Sequence, residues 1–283
     1  MLRKVATVLE MIKIQHTVFA LPFAVVGAVY AKQGVPTAAQ CLWLLVAMVA
    51  ARSAAMAFNR AVDARFDAAN PRTKIRAIPQ GRLTPAFAYA FTAAMAAAFV
   101  AAAFMLNPLC GALSPVALAI TLGYSYTKRF TPLCHFVLGL GLALAPAGAW
   151  LGVRPELHAF PLLIAGAVLF WVAGFDIIYA CEDVEFDRRA SLRSMPAWIG
   201  IGPALVLARA CHAATLVLLA TAVVVHGLGG WFVAGVAVIA LLLAYEHALV
   251  SPNDLRRVNQ AFFHANAAVS VTLGTAAMLD LFL

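Results

Sequence analysis

The sequence predicts an all-α membrane protein, nine transmembrane helices around a central cavity with the N-terminus on the cytoplasmic side. Hydrophobic residues make up 64% of the 283 and charged residues only 11%. The apolar residues fall in successive runs of about 20, the length that spans a bilayer's hydrocarbon core. When these runs are threaded back and forth, 18 of the 20 Lys and Arg residues, all but Lys32 and Arg154, fall on one side. Short basic loops stay cytoplasmic, so this asymmetry sets both the helix count and the orientation.

Breaks at polar and Pro/Gly clusters place the spans at 14–32, 40–62, 86–106, 111–127, 132–152, 160–181, 203–225, 229–249 and 261–282. The first follows a weakly basic tail, Arg3, Lys4 and Lys13, that could mimic a secretory signal. No small-residue cleavage site with a soluble domain follows, so it counts as a span. No hydrophilic linker is long enough to separate soluble domains, and residues 1–283 are expected to form one polytopic domain. Five scattered cysteines without a CxxC arrangement imply neither a disulfide frame nor a zinc site. Phosphate-loop, nucleophile-elbow and dinucleotide fingerprints are missing from the sequence, and so is HExxH. The net charge of +8 belongs to the membrane surface, which makes nucleic acid an unexpected partner.

Against this apolar background, two aspartate pairs are conspicuous. Asn59, Asp63 and Asp67 recur at intervals of four on one face at the end of the second span. Asp183 and Asp187 repeat the pair after the sixth span, 120 residues on, with Asp176 two turns deeper on roughly the same face. Acids beside lipid are normally retained where they meet a cation or line a polar cavity. An amide oxygen and two carboxylates suit Mg²⁺, which keeps several waters and takes its other oxygens from phosphates. The plainer reading is a solvated helix end with Arg60 and Arg65 pairing the acids. Glu182 and Glu185 point elsewhere and are expected to be solvated or paired with Arg188 and Arg189. Because both pairs fall on cytoplasmic segments four helices apart, two bundles of parallel orientation facing a shared cavity are expected.

A basic string, Asn70-Pro-Arg72-Thr-Lys74-Ile-Arg76-Ala-Ile-Pro79-Gln-Gly81-Arg82, follows the first pair. Arg forks match phosphate oxygens and Lys supplies a point charge, so beside Mg-type clamps the string favours a diphosphate. Topology and anionic lipid explain any single member equally well. Tyr124 and Lys128, four residues apart, could share one target, the ring facing a developing cation and the ammonium a phosphate, or act as interfacial anchors. Arg52 lies seven residues before Asn59 on a similar face, about 10 Å deeper. Its partner is either a protein acid, with Asp176 at comparable depth, or a substrate carboxylate. His16 could reach the cavity from the inner end of the first span, and the other histidines have structural explanations.

NxxxDxxxD together with DxxYAxxDxxxD and YxxxK resembles the UbiA family of intramembrane prenyltransferases, across essentially the whole chain. Such enzymes move an isoprenoid chain from its diphosphate to an acceptor, most often an aromatic ring in quinone biosynthesis. The resemblance implies that Asn59, Asp63, Asp67, Asp183 and Asp187 bind two Mg²⁺ ions and the diphosphate. It carries Asp176 and Tyr179 onto the leading DxxY, Arg72 and Arg76 onto diphosphate contacts, and Tyr124 and Lys128 onto YxxxK. The stretches Lys13-Ile-Gln-His16-Thr-Val-Phe-Ala-Leu-Pro22, Ala-Ala-Arg52-Ser-Ala-Ala-Met and Ser125-Tyr-Thr-Lys-Arg-Phe-Thr resemble the 4-hydroxybenzoate polyprenyltransferase subgroup. The Asp-Lys-Pro-Ile-Gly string of typical 4-hydroxybenzoate enzymes is missing near the first helix. The acceptor therefore stays open between 4-hydroxybenzoate, in ubiquinone synthesis, and 1,4-dihydroxy-6-naphthoate, in menaquinone synthesis.

The expected substrates are a polyprenyl diphosphate and an aromatic acid, handled at the cytoplasmic face of a bacterial inner membrane. In that reading Arg52 takes the acceptor's carboxylate, Asp176 orients the acceptor or supports its deprotonation, and the tail leaves into lipid. An ion-coupled transporter is the rival from another class. Carriers place their acids near the bilayer midplane, whereas four of the five motif acids here belong to a cytoplasmic edge.

Overall fold

The computed structural model describes residues 2–12 and 17–283, so His16 and the start of the first predicted span lie outside the described residues. In chain order the helices are α1 (Leu2–Ile12), α2 (Thr17–Lys32), α3 (Ala38–Val62), α4 (Ala64–Ala69), α5 (Pro85–Leu106), α6 (Pro108–Thr127) and α7 (Cys134–Val153). There follow α8 (Ala159–Ala180), α9 (Val184–Arg189), α10 (Met195–Ile199), α11 (Ile201–His226), α12 (Gly230–Ala248), α13 (Val258–Gln260) and α14 (Asn266–Phe282). All regular structure among the described residues is helical, as expected of a chain that must close its own backbone hydrogen bonds inside lipid. Eight helical stretches are long and apolar enough to cross a membrane, and a further apolar helix, Leu21–Lys32, is shorter. This is an integral membrane protein. Three hydroxyls within the spans are closed on their own helices: Thr92, Thr121 and Thr221 each donate to the carbonyl four residues back at 2.8 Å.

At both acidic motifs the helical path runs beyond the end that hydropathy predicts. The Asp63 N–H donates to Asn59 O at 2.9 Å and the Asp67 N–H to Asp63 O at 2.8 Å, which carries α3 into α4. A 3₁₀ turn, Cys181–Asp183, joins α8 to α9 in one helical run, Ala159–Arg189. The reason is local. Neither extension contains Pro or Gly, and the charges that hydropathy reads as loop occupy only part of a helix circumference.

The chain divides into two compact units, Met1–Val18 with Ala38–Tyr126, and Phe19–Thr37 with Thr127–Leu283. In the first, α3 packs along α5, and Met11 and Ile12 of α1 bury against Ala57, Ala61, Ile78 and Ala88. Arg82 grips Glu10 through both terminal nitrogens, at 2.7 and 3.0 Å, tying the basic loop to α1.

In the second unit α8 packs on both α7 and α11, and α12 on α14. Asp280 of α14 accepts from the N–H groups of Gly229 and Phe232 at 2.9 and 3.1 Å, capping an α12 N-terminus whose own glycine has no capping side chain. Tight helix contacts rest on small residues, as in other membrane bundles. A Cβ on Gly139 of α7 would overlap the Leu169 carbonyl oxygen of α8, whereas one on Gly148 would meet nothing within 4 Å. Gly139→Val is therefore expected to cost about 1–3 kcal/mol by overpacking. A thermal melt in detergent should show a lowered transition for G139V and none for G148A.

Candidate active site

In the first unit the helical bonds through Asp63 keep Asn59, Asp63 and Asp67 in register. The Asn59 amide donates from Nδ2 to Asp63 Oδ2 at 2.8 Å, and its Oδ1 accepts from Arg60 at 3.2 Å. Asn59 thus enters as a hydrogen-bond partner of Asp63 rather than as an open oxygen. Asp67 is buried; its Oδ1 holds Arg76 Nη1 at 2.6 Å, and its Oδ2 is enclosed without a hydrogen-bond partner among the described residues.

The basic string is a succession of turns built to deliver Arg76 to this carboxylate. Asn70 Oδ1 accepts from the Arg72 N–H at 2.9 Å, and Thr73 Oγ1 donates to the Asp67 carbonyl at 3.1 Å. Gly81 closes the string at φ +68°, a left-handed conformation that favours glycine. Arg60 and Arg76 line one small cleft with Glu10, Met11, Ala77 and Ile78. Deeper on α3, Arg52 buries its Nε without a hydrogen-bond partner among the described residues. Tyr124 is half-buried near the end of α6, and Tyr126 meets Phe58 edge-on at 5.8 Å between centroids.

The second unit repeats this wiring with different residues. Asp187, only 1% exposed, holds Lys128 Nζ at 2.8 Å on Oδ1 and accepts from Ser194 Oγ at 2.7 Å on Oδ2. Burial pulls the Lys128 ammonium down, but the charge of Asp187, with Asp183 behind it, more than reverses that and holds it above the ordinary lysine value. The segment 193–195 locks the arrangement. The Arg193 N–H donates to Lys128 O at 2.7 Å, its guanidinium to Phe130 O at 3.0 Å, and the Met195 N–H to His135 Nε2 at 3.2 Å. Asp183 and Tyr179 are half-buried on the same helical run. Asp176 pairs with His135 Nδ1 at 2.6 Å, so the protein acid expected for Arg52 already has a partner.

Among the outlying acids, Glu185 pairs with Arg189 at 2.8 Å as expected, whereas Glu182 accepts from Asn259 at 2.8 Å and Arg188 donates to Ala197 O at 3.1 Å. Neither His135 nor Ser194 stood out in the sequence. A histidine in the first turn of a span, at the level of the DxxY acid, was the signal for the former; Ser194 gave none.

No three His, Cys, Asp or Glu side chains converge on a metal-sized point among the described residues. Two hard carboxylates per motif, with Asp67 of the first keeping a buried uncommitted oxygen, nevertheless fit a Mg²⁺ that completes its shell with water and phosphate.

The model of the UbiA prenyltransferase family matches residues 20–267. The chain belongs to this family. It is therefore a membrane-embedded prenyltransferase, and curated relatives similar to it carry the name 4-hydroxybenzoate octaprenyltransferase. The 4-hydroxybenzoate octaprenyltransferase of Methylobacillus flagellatus is 31% identical over 85% of this chain and 81% of its own length. Among solved UbiA homologues, the apo structure from Aeropyrum pernix K1 is 36% identical and covers 95% of this chain and 98% of its own, with a TM-score of 0.85. The homologue from Archaeoglobus fulgidus, solved with DMAPP and Mg²⁺, shares the fold at 19% identity and a TM-score of 0.67, over 94% of this chain and 99% of its own.

Proposed function

We propose that this UbiA-family protein transfers a polyprenyl chain from its diphosphate to an aromatic hydroxy acid of the 4-hydroxybenzoate type, with Mg²⁺ and at the cytoplasmic face of a bacterial inner membrane. Nine spans with the N-terminus inside accompany this reading, since it puts both acidic motifs on the side that carries 18 of the 20 Lys and Arg residues, all but Lys32 and Arg154.

One observation supports it above all. Each motif ends in a buried carboxylate held by a cation from the following or preceding loop, Asp67 by Arg76 and Asp187 by Lys128. A buried acid with its own counter-charge, and in Asp67 an uncommitted oxygen as well, suits a site that exchanges a protein cation for a metal. Asn59, Asp63, Asp67, Asp183 and Asp187 would hold Mg²⁺. When bound, Mg²⁺ supplies positive charge that offsets the negative charge developing on the departing diphosphate.

The chain's own residues do the rest. Arg72, Arg76 and Lys128 take phosphate oxygens as the carbon–oxygen bond breaks and its electron pair leaves on the diphosphate. The ring of Tyr124 and apolar walls face the allylic cation, with Tyr179 beside the donor, and keep water from quenching it. Arg52 meets the acceptor's carboxylate and Asp176 its hydroxyl. A ring carbon ortho to that hydroxyl forms the new bond, and loss of its proton restores aromaticity.

The missing Asp-Lys-Pro-Ile-Gly string favours a second acceptor, 1,4-dihydroxy-6-naphthoate. Membranes containing the protein, given Mg²⁺ and a polyprenyl diphosphate, should prenylate one of these two acids and lose the activity on EDTA treatment. A panel yielding no prenylated ring with either acid rejects the acceptor class.

A further inference from the structure

His135 is a buried polar residue, packed against an acid of the second motif, that metal and diphosphate chemistry leaves unexplained. Its side chain is 2% exposed, and both ring nitrogens are committed. The Met195 N–H donates to Nε2 at 3.2 Å, so that nitrogen presents a lone pair. The proton of the neutral ring then sits on Nδ1 and is donated to Asp176 Oδ2 at 2.6 Å. A second proton, on Nε2, would set two donors head to head. Backbone donor, imidazole and carboxylate thus form a relay of fixed tautomer, which orients the acid at its end.

That relay has a closed end and an open one. His135 is enclosed, while the Asp176 side chain is 19% exposed, and Oδ1 has no hydrogen-bond partner among the described residues. A purely structural pin has no need to finish in an open carboxylate. The same segment also fixes the metal-motif acid, because Ser194, the residue before Met195, donates to Asp187. Residues 193–195 therefore hold Asp187 directly and Asp176 through the imidazole, on one piece of backbone.

We propose that His135 is a positioning residue for the acceptor. It holds Asp176 so that Oδ1 accepts from the hydroxyl of the aromatic ring, in register with the carboxylate of Asp187. The inference rests on the acceptor reading above, and it concerns aim rather than diphosphate binding.

The full-length protein, assayed with Mg²⁺, a polyprenyl diphosphate and whichever of the two aromatic acids it prenylates, provides the test. His135→Ala should lower kcat/KM for the acceptor by about tenfold to a hundredfold, the scale of a slightly misplaced group, with the donor KM unchanged. His135→Gln, whose amide can accept from Met195 and donate to Asp176, should recover most of the loss. The double variant His135→Ala/Asp176→Asn should be no worse than Asp176→Asn alone, since both act through one hydrogen bond. A donor KM that rises with the acceptor's, a folded H135Q as impaired as H135A, or additive losses would each overturn the proposal. Should H135A not fold, D176N decides, because only the acceptor parameters should move. Wild-type protein that prenylates neither acid rejects the acceptor reading and this inference together, whereas an active wild type with unchanged H135A kinetics rejects this inference alone.

Discussion

Asp67→Asn and Asp187→Asn should each lower prenyl transfer by about 10²- to 10³-fold, the scale on which enzymes lose rate when a charge-stabilising group at the reacting centre is removed. The substitution is nearly isosteric, so the change is one of charge. In the structure these two carboxylates are neutralised by Arg76 and Lys128 at 2.6 and 2.8 Å. If the ion pairs were their only purpose, the variants would lose stability and nothing else. If they are metal ligands, the Mg²⁺ concentration for half-maximal rate should also rise. Titrating Mg²⁺ at saturating donor separates the two cases, and an unshifted Mg²⁺ requirement in both variants would remove the clamp reading.

Arg52→Leu is expected to raise the acceptor KM by about tenfold to a hundredfold while leaving the melting temperature unchanged or higher. The size follows from a charged hydrogen bond worth about 1.5–3 kcal/mol. The absence of a stability loss follows from the structure, since the Arg52 Nε is buried without a hydrogen-bond partner among the described residues. A cation that holds no acid among those residues contributes little to folding, and a leucine there removes the desolvation penalty. Uncharged acceptor analogues, such as the methyl ester or amide of the aromatic acid, should show no further loss in R52L. A variant that melts earlier and binds acid and ester equally poorly would make Arg52 a structural residue.

The spans were legible because hydropathy is a property of each segment alone: α3, α5, α6, α7, α8, α11 and α12 start and stop within three residues of the predicted ends, whereas α14 begins five residues late, at Asn266. The acidic ladders were legible because helical spacing of four survives whatever surrounds it, as the bonds through Asp63 show. Loop-like composition misled at 63–69 and 182–189, where charge was read as the end of a helix although no Pro or Gly breaks either stretch. The partners of the acids were less legible. Arg76 was expected on phosphate and sits on Asp67, Glu182 was expected in solvent or beside an arginine and accepts from Asn259, and Asp176 is held by His135. Pairings of this kind join residues as many as 77 positions apart, and no periodicity encodes them.

The sequence by itself determined the membrane environment, the helical class, the family and the residue types of the two acidic motifs. Each of these depends on composition or on spacing along a single helix. Only the tertiary structure decided which cation neutralises which carboxylate, that Asp67 keeps a buried oxygen uncommitted, and that the Met195 backbone sets the tautomer of His135 and through it the direction of Asp176. Those outcomes depend on distances between helices packed against one another. Within a hydrogen bond's reach of about 3 Å, packing chooses the partner.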